Sequence, residues 1–167
     1  MDTAPTHVEV QRFRQPWLLA IVLGIAGLMW WGFVTQIVLG RPWGTKPAPD
    51  AAVWALTVVF GILLPAWFLV GAMHTVVDDD GIRIRFFGVH RRTIGIDRIA
   101  AAEAVTYHPL LDYGGWGIRL GLQGWCYNVS GNRGVRLRLV DGRTVMIGSG
   151  RADELAEAIR RRLGRAA

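Results

Sequence analysis

The chain has 167 residues, 51% of them hydrophobic, and carries a net charge of +6. Its one cysteine, Cys126, excludes an intramolecular disulfide, so the fold makes no demand for an oxidising compartment. The positive charge rests on arginine with a lone Lys46, a skew that points to a GC-rich bacterial genome rather than to a functional demand for guanidinium.

Residues 1–16 read as a short N-terminal tail. Trp17 to Leu39 and Ala51 to Met73 are then two runs of 23 residues without a charged side chain. At about 1.5 Å per helical residue, each can cross about 30 Å of hydrocarbon. Both runs far exceed the h-region of a signal peptide, and no small-residue cleavage site follows the first, so residues 17–73 are expected to form a retained transmembrane hairpin. Arg12 and Arg14 precede the hairpin and Arg83, Arg85, Arg91 and Arg92 follow it, against Arg41 and Lys46 in the connecting loop. That imbalance favours both termini in the cytoplasm, in a multi-pass protein of the cell membrane.

Ala20, Gly24 and Gly27 form a stripe of small residues that would let the second helix approach the first closely. Pro65 lies inside the second run and should free the carbonyl of Gly61 and bend the helix. Trp17, Trp54 and Trp67 sit toward the span ends as interfacial anchors, whereas Trp30 and Trp31 lie deeper and should pack. With Thr35 and Gln36 as the clearly polar residues within the two spans and no ionisable one there, the hairpin reads as an anchor rather than a transport path.

Residues 74–167 change character and suffice for one small core. Strands are expected at His74 to Val77, at Ile82 to Phe86 and from Arg92 to Ile96, with Asp78-Asp79-Asp80-Gly81 and Phe87 to His90 as turns. Ile99 to Tyr107 is a weaker strand. Val135, Leu137 and Leu139 alternate with Arg136 and Arg138 before Asp141-Gly142, a cue for a two-residue hairpin into Arg143 to Ile147. Arg151 to Leu163 is an amphipathic helix with Leu155, Ile159 and Leu163 on one stripe, Asp153 and Glu154 in its first turn, arginines in its last, and Gly164 as its stop.

The segment from Asp112 to Gly134, DYGGWGIRLGLQGWCYNVSGNRG, combines glycines with Trp116, Trp125, Tyr113 and Tyr127. Two readings stay open: irregular strands with Trp116 or Trp125 filling the core, or an aromatic binding surface on a permissive backbone. Gly115-Trp116-Gly117 lacks the later glycine and the helix of a dinucleotide loop. Asn128-Val129-Ser130 is a glycosylation sequon without meaning in a cytoplasmic domain. His74, His90, His108 and Cys126 have no metal-ligand spacing, so neither metal nor cofactor is expected. Tyr107, His108 and Asp112 could form an acid–base cluster, but no nucleophile or phosphate loop accompanies them.

Two spans, then strands and a terminal helix with YGGWGIR and GWCYNVSGNRGV, resemble a group of uncharacterised bacterial membrane proteins with a pleckstrin-homology-like domain. The resemblance implies an α+β protein: the helical hairpin, then a seven-stranded antiparallel β-barrel capped by the C-terminal α-helix. It does not imply phosphoinositide binding, because the turn that is basic in eukaryotic relatives is Asp78-Asp79-Asp80 here. Arg83, Arg85, Arg136 and Arg138 nevertheless put positive charge on outward strand faces, which is either an ordinary solvated face or a contact for anionic headgroups. No nucleic-acid motif is present. The expected role is non-enzymatic: a membrane-held domain that meets a protein partner or anionic lipid through those arginines and Trp116 or Trp125. The rivals are a structural subunit of a larger membrane complex and an enzyme built on Tyr107, His108 and Asp112.

Overall fold

The computed structural model describes residues 5–13, 15–121 and 123–166. Arg14, one of the N-terminal charges that set the expected orientation, lies outside them. The elements in chain order are β1 (His7–Arg12), α1 (Pro16–Val38), α2 (Asp50–Val70), β2 (Ala72–Val77), β3 (Gly81–Phe86), β4 (His90–Gly95) and β5 (Ile99–Thr106). They continue with α3 (Pro109–Tyr113), β6 (Gly117–Gly121), β7 (Gly124–Asn128), β8 (Arg133–Leu139), β9 (Thr144–Gly148) and α4 (Ala152–Ala166). The chain forms two compact units, one of Phe13–Gly71 and one of Met1–Arg12 with Ala72–Ala167.

In the helical unit, α1 and α2 are both long and apolar enough to cross a membrane. Only 17% and 11% of their most apolar windows are buried, leaving side chains such as Ile21, Leu28, Trp31, Leu63 and Leu69 uncovered. Both helices widen into π-helical turns, at Val34–Val38 and Thr57–Leu63. Pro65 cannot donate to Gly61, four residues back, and the Trp30 indole N–H donates to that carbonyl instead, at 3.2 Å. Thr57, a polar residue the sequence reading passed over, is buried; its hydroxyl donates to Val53 at 2.8 Å and reaches the Met29 carbonyl of α1 at 3.4 Å. The expected small-residue seam is corrected. A side chain on Gly24 or Gly27 would meet nothing, and Ala20 is exposed, while Val22, Ala26 and Gly32 are buried. Gly32 lies against the ring of Trp43 from the connecting loop, where any Cβ would overlap it. Helix spacing alone gives several small-residue stripes, and large side chains decide which one is covered.

The strand unit is α+β, but the expected closed barrel and its seven strands are corrected. Its strands form two open sheets, a four-stranded one ordered β1-β2-β3-β4 and a five-stranded one ordered β5-β8-β9-β7-β6. Nor is the pairing wholly antiparallel, since β7 runs parallel to β9 with β8 as the crossover. Helix α4 packs on β5 and β8 and also reaches β1 and β2. Leu155 and Ile159 of its expected stripe are fully buried, together with Ala152, Ala156 and Ala158, whereas Leu163 is half-buried. The core comprises Met73, Val77, Ile82 and Ile84 from one sheet and Val135, Leu137, Val145, Ile147 and Tyr127 from the other.

Three local expectations differ from the structure. Residues 7–12 are not tail: β1 pairs with β2 over its whole length, from His7 opposite Val77 to Arg12 opposite Ala72. Its alternation is inverted, with His7, Glu9 and Gln11 buried and Val8 and Val10 about half exposed. The β8–β9 connection is not a two-residue Asp-Gly turn. The Gly142 N–H donates to Leu139 and the Leu139 N–H to Arg143, and only Gly142 has positive φ, +81°, which is a three-residue loop closed by a glycine bulge. Finally, α4 continues through Gly164 to Ala166, because glycine in an exposed last turn costs only about 1 kcal/mol.

Candidate functional site: two basic surfaces of the strand unit

The first surface is the outward face of the four-stranded sheet. Register places Val8, Val76, Arg83 and Thr93 in one row across it and Val10, His74, Arg85 and Arg91 in the next, with Arg12 at the end of β1. Among the described strand residues of this face there is no carboxylate. Arg83 pairs with Asp78 of the β2–β3 turn, whose carboxylate also accepts the N–H groups of Asp80 and Gly81. Arg85 and Arg91 stand directly opposite each other. Such a like-charge pair is unfavourable unless an anion screens it. Sequence reading singled out Arg83 and Arg85 and missed Arg12 and Arg91. The adjacent Arg91-Arg92 was the available signal, because a strand must send one of the two to each face.

The second surface is a cleft of about 750 Å³ at the turn end of the five-stranded sheet. Its arginines are Arg92, Arg136, Arg138 and Arg143, and Leu120 and Trp125 give it an apolar wall. Glycines let the strand ends at its rim pack closely. Gly124, at φ +117°, lies so close to the Thr144 carbonyl that a Cβ would sit 2.1 Å from it. Gly121 is pressed in the same way against Tyr113. The four guanidiniums differ in their satisfaction. Arg143 binds Asp141 at 2.9 Å and holds that carboxyl down to about 2, chiefly through their side-chain hydrogen bond. Arg92 donates to the Tyr127 hydroxyl at 2.8 Å and lies over its ring. Arg138 makes no hydrogen bond or ion pair among the described residues, and the Nε of half-buried Arg136 is shut off from solvent without an acceptor. A buried donor left so costs roughly 1–3 kcal/mol.

The structure therefore divides the sequence candidates. Arg136, Arg138 and Trp125 share the cleft, Arg83 and Arg85 share the other sheet, and Trp116 joins neither. The Trp116 indole N–H donates to the Gly131 carbonyl at 3.1 Å. Neither tryptophan fills the core: Trp125 is 40% exposed and Trp116 half-buried. The buried aromatics of the segment are the tyrosines, Tyr113 and Tyr127.

Tyr107, His108 and Asp112 do not converge. The Tyr107 hydroxyl is buried and accepts from the Asn128 side chain at 2.9 Å, while Asp112 accepts the backbone N–H of His108 at 2.8 Å, at the start of α3. Burial raises Tyr107 well above the ordinary phenol range and pushes the Cys126 thiol up to about 12, so neither is primed as a nucleophile at neutral pH. Asn128 of the sequon is fully buried, and its carbonyl accepts from the Gly117 N–H at 2.9 Å, which leaves its amide inaccessible to modification in the folded chain.

An α+β domain of two open sheets, interrupted in sequence by a pair of apolar helices and bearing two arginine-rich surfaces, is the class these observations define. The chain belongs to the family of unknown function DUF6141, which it matches over residues 2–164. No curated protein and no solved structure matches it.

Proposed function

We propose that the protein is anchored in the cell membrane by its helix pair, with both termini in the cytoplasm, and that the strand unit is a non-enzymatic recognition domain of pleckstrin-homology-like kind. The two sheets joined by a C-terminal helix support that likeness. Its four-stranded face meets anionic lipid headgroups.

The observation that carries this reading is the composition of that face: Arg12, Arg83, Arg85, Arg91 and His74 beside the exposed Val8 and Val10, with no carboxylate among its described strand residues. Basic residues near an anionic bilayer contribute about 1 kcal/mol each, and apolar neighbours add interfacial burial. The covalent path favours a lipid partner as well. The chain passes from β1 to α1 through residues 13–15 and from α2 to β2 through Gly71 alone. Arg12 and Ala72, where it leaves and re-enters the strand unit, are register partners.

The full chain in nanodiscs tests the reading by hydrogen–deuterium exchange over residues 83–91. Greater protection with phosphatidylglycerol than with phosphatidylcholine is expected. It should vanish in about 1 M salt, where the screening length is about 3 Å, and in the Arg83→Glu/Arg85→Glu variant. Equal protection in both lipids would reject the lipid reading and turn the face toward a protein partner.

A further inference from the structure

We propose that the arginine-lined cleft at the turn end of the five-stranded sheet binds a phosphorylated small molecule, with its phosphate on Arg136 and Arg138 and its apolar part against Trp125 and Leu120. This site is separate from the four-stranded face and does not depend on it.

Two features converge there. The arginines Arg92, Arg136, Arg138 and Arg143 line one concavity, and among the described residues no carboxylate lines it with them. Two of the four, Arg92 and Arg143, already have hydrogen-bond partners, but Arg136 and Arg138 make no hydrogen bond or ion pair among the described residues. Glu103 stands opposite Arg136 on β5, and the two form no ion pair among the described residues.

Charge and shape narrow the ligand. Two unpartnered guanidiniums side by side match an anion with more than one negative charge, and their planar forks suit phosphate oxygens. A monocarboxylate would neutralise only one. The volume is that of a small-molecule site. Leu120, 67% exposed, and Trp125, 40% exposed, also line it, so the organic part of the ligand has a flat or apolar surface to cover. Glycines at 121 and 124 let the strand ends beside the cleft pack closely, because any side chain there would collide with Tyr113 or Thr144. A phosphate monoester or diphosphate of this kind is either a free metabolite or the headgroup of a lipid.

The test uses the full chain in nanodiscs and the NMR signal of the Trp125 indole, assigned by Trp125→Phe. In phosphatidylcholine discs, titrated ATP and pyrophosphate should each shift that signal saturably, with adenosine at least ten-fold weaker. In a second arm, discs containing phosphatidic acid shift it without any soluble probe if the phosphate comes from lipid. A response in either arm that Arg138→Gln weakens ten-fold or more, as Arg136→Met should wherever it folds, and that Arg160→Gln on the exposed side of α4 leaves alone, supports the proposal. Arg138 is exposed and bonded to nothing among the described residues, so its replacement keeps the fold even where Arg136→Met does not. No response to any phosphate in either arm overturns it, and so does a response indifferent to Arg138→Gln.

Discussion

Cys126 lies in a small second core with Tyr107, Tyr113 and Met146. Desolvation is the leading reason why its thiol and both tyrosine hydroxyls are held in the neutral form. The unfolded chain ionises these groups at their ordinary values, and the folded chain resists. Above about pH 9 the unfolded state therefore binds fewer protons than the native one, and stability falls as pH rises. Thermal melts between pH 8 and pH 11 should show a steady loss of Tm that is shallower in Cys126→Ala. A flat profile would contradict the buried, neutral thiol. Alkylation of Cys126 in the folded protein should be slow for the same reason. The sequence shows a lone cysteine and excludes a disulfide, but nothing in its neighbours Trp125 and Tyr127 says which of the three faces this core. That is decided by which side of β7 receives α3.

Strand β1 and the helix pair show where periodicity succeeds and fails. Both apolar runs are legible because lipid-length hydrophobicity needs no partner to be recognised. Their contact face is not, since Ala20, Gly24 and Gly27 make as good a stripe as the buried Val22, Ala26 and Gly32. The loss of a donor at Pro65 is readable as well, yet the group that restores the bond, Trp30, comes from the other helix. Trp30→Phe strands the Gly61 carbonyl and should destabilise the pair by about 0.6–1.7 kcal/mol, seen as a lower unfolding midpoint in a detergent titration. Gly24→Leu should leave that midpoint unchanged, because its side chain enters open space. If Gly24→Leu is the damaging change, the small-residue stripe is the seam after all. In β1 the alternation is present in sequence but with the wrong polarity, Val8 and Val10 turned outward and Glu9 inward, so hydropathy cannot assign it.

At the scale of the molecule, Glu9 joins the beginning of the chain to its end. Its buried carboxylate accepts the Ser149 hydroxyl at 2.5 Å and the Gly150 N–H at 2.9 Å, just ahead of α4, where the helix dipole favours a negative charge. Gln11 adds a bond to the Gly148 carbonyl at 2.7 Å, and Arg151 reaches the Val8 carbonyl. The strand unit is therefore complete only with residues that precede the helices. Glu9→Ala removes charge-assisted bonds from a buried site and should cost about 1.5–3 kcal/mol, lowering Tm by roughly 5–15 °C. A fragment starting at His74 should unfold more easily still. An unchanged Tm for Glu9→Ala would mean that β1 is dispensable.

Sequence alone determined the two apolar helices, most of the strands from β2 to β9 and the amphipathic C-terminal helix. Each of these is written in local periodicity, and local periodicity needs only the chain's own spacing. Only the tertiary structure decided that β1 belongs to the domain, that the sheets stay open with one parallel pair, and which arginines share a surface. Those are matters of register and long-range pairing. A shift of one residue in the register of β8 would send Arg136 and Arg138 to the opposite face and leave the cleft with only Arg92 and Arg143 of its four arginines.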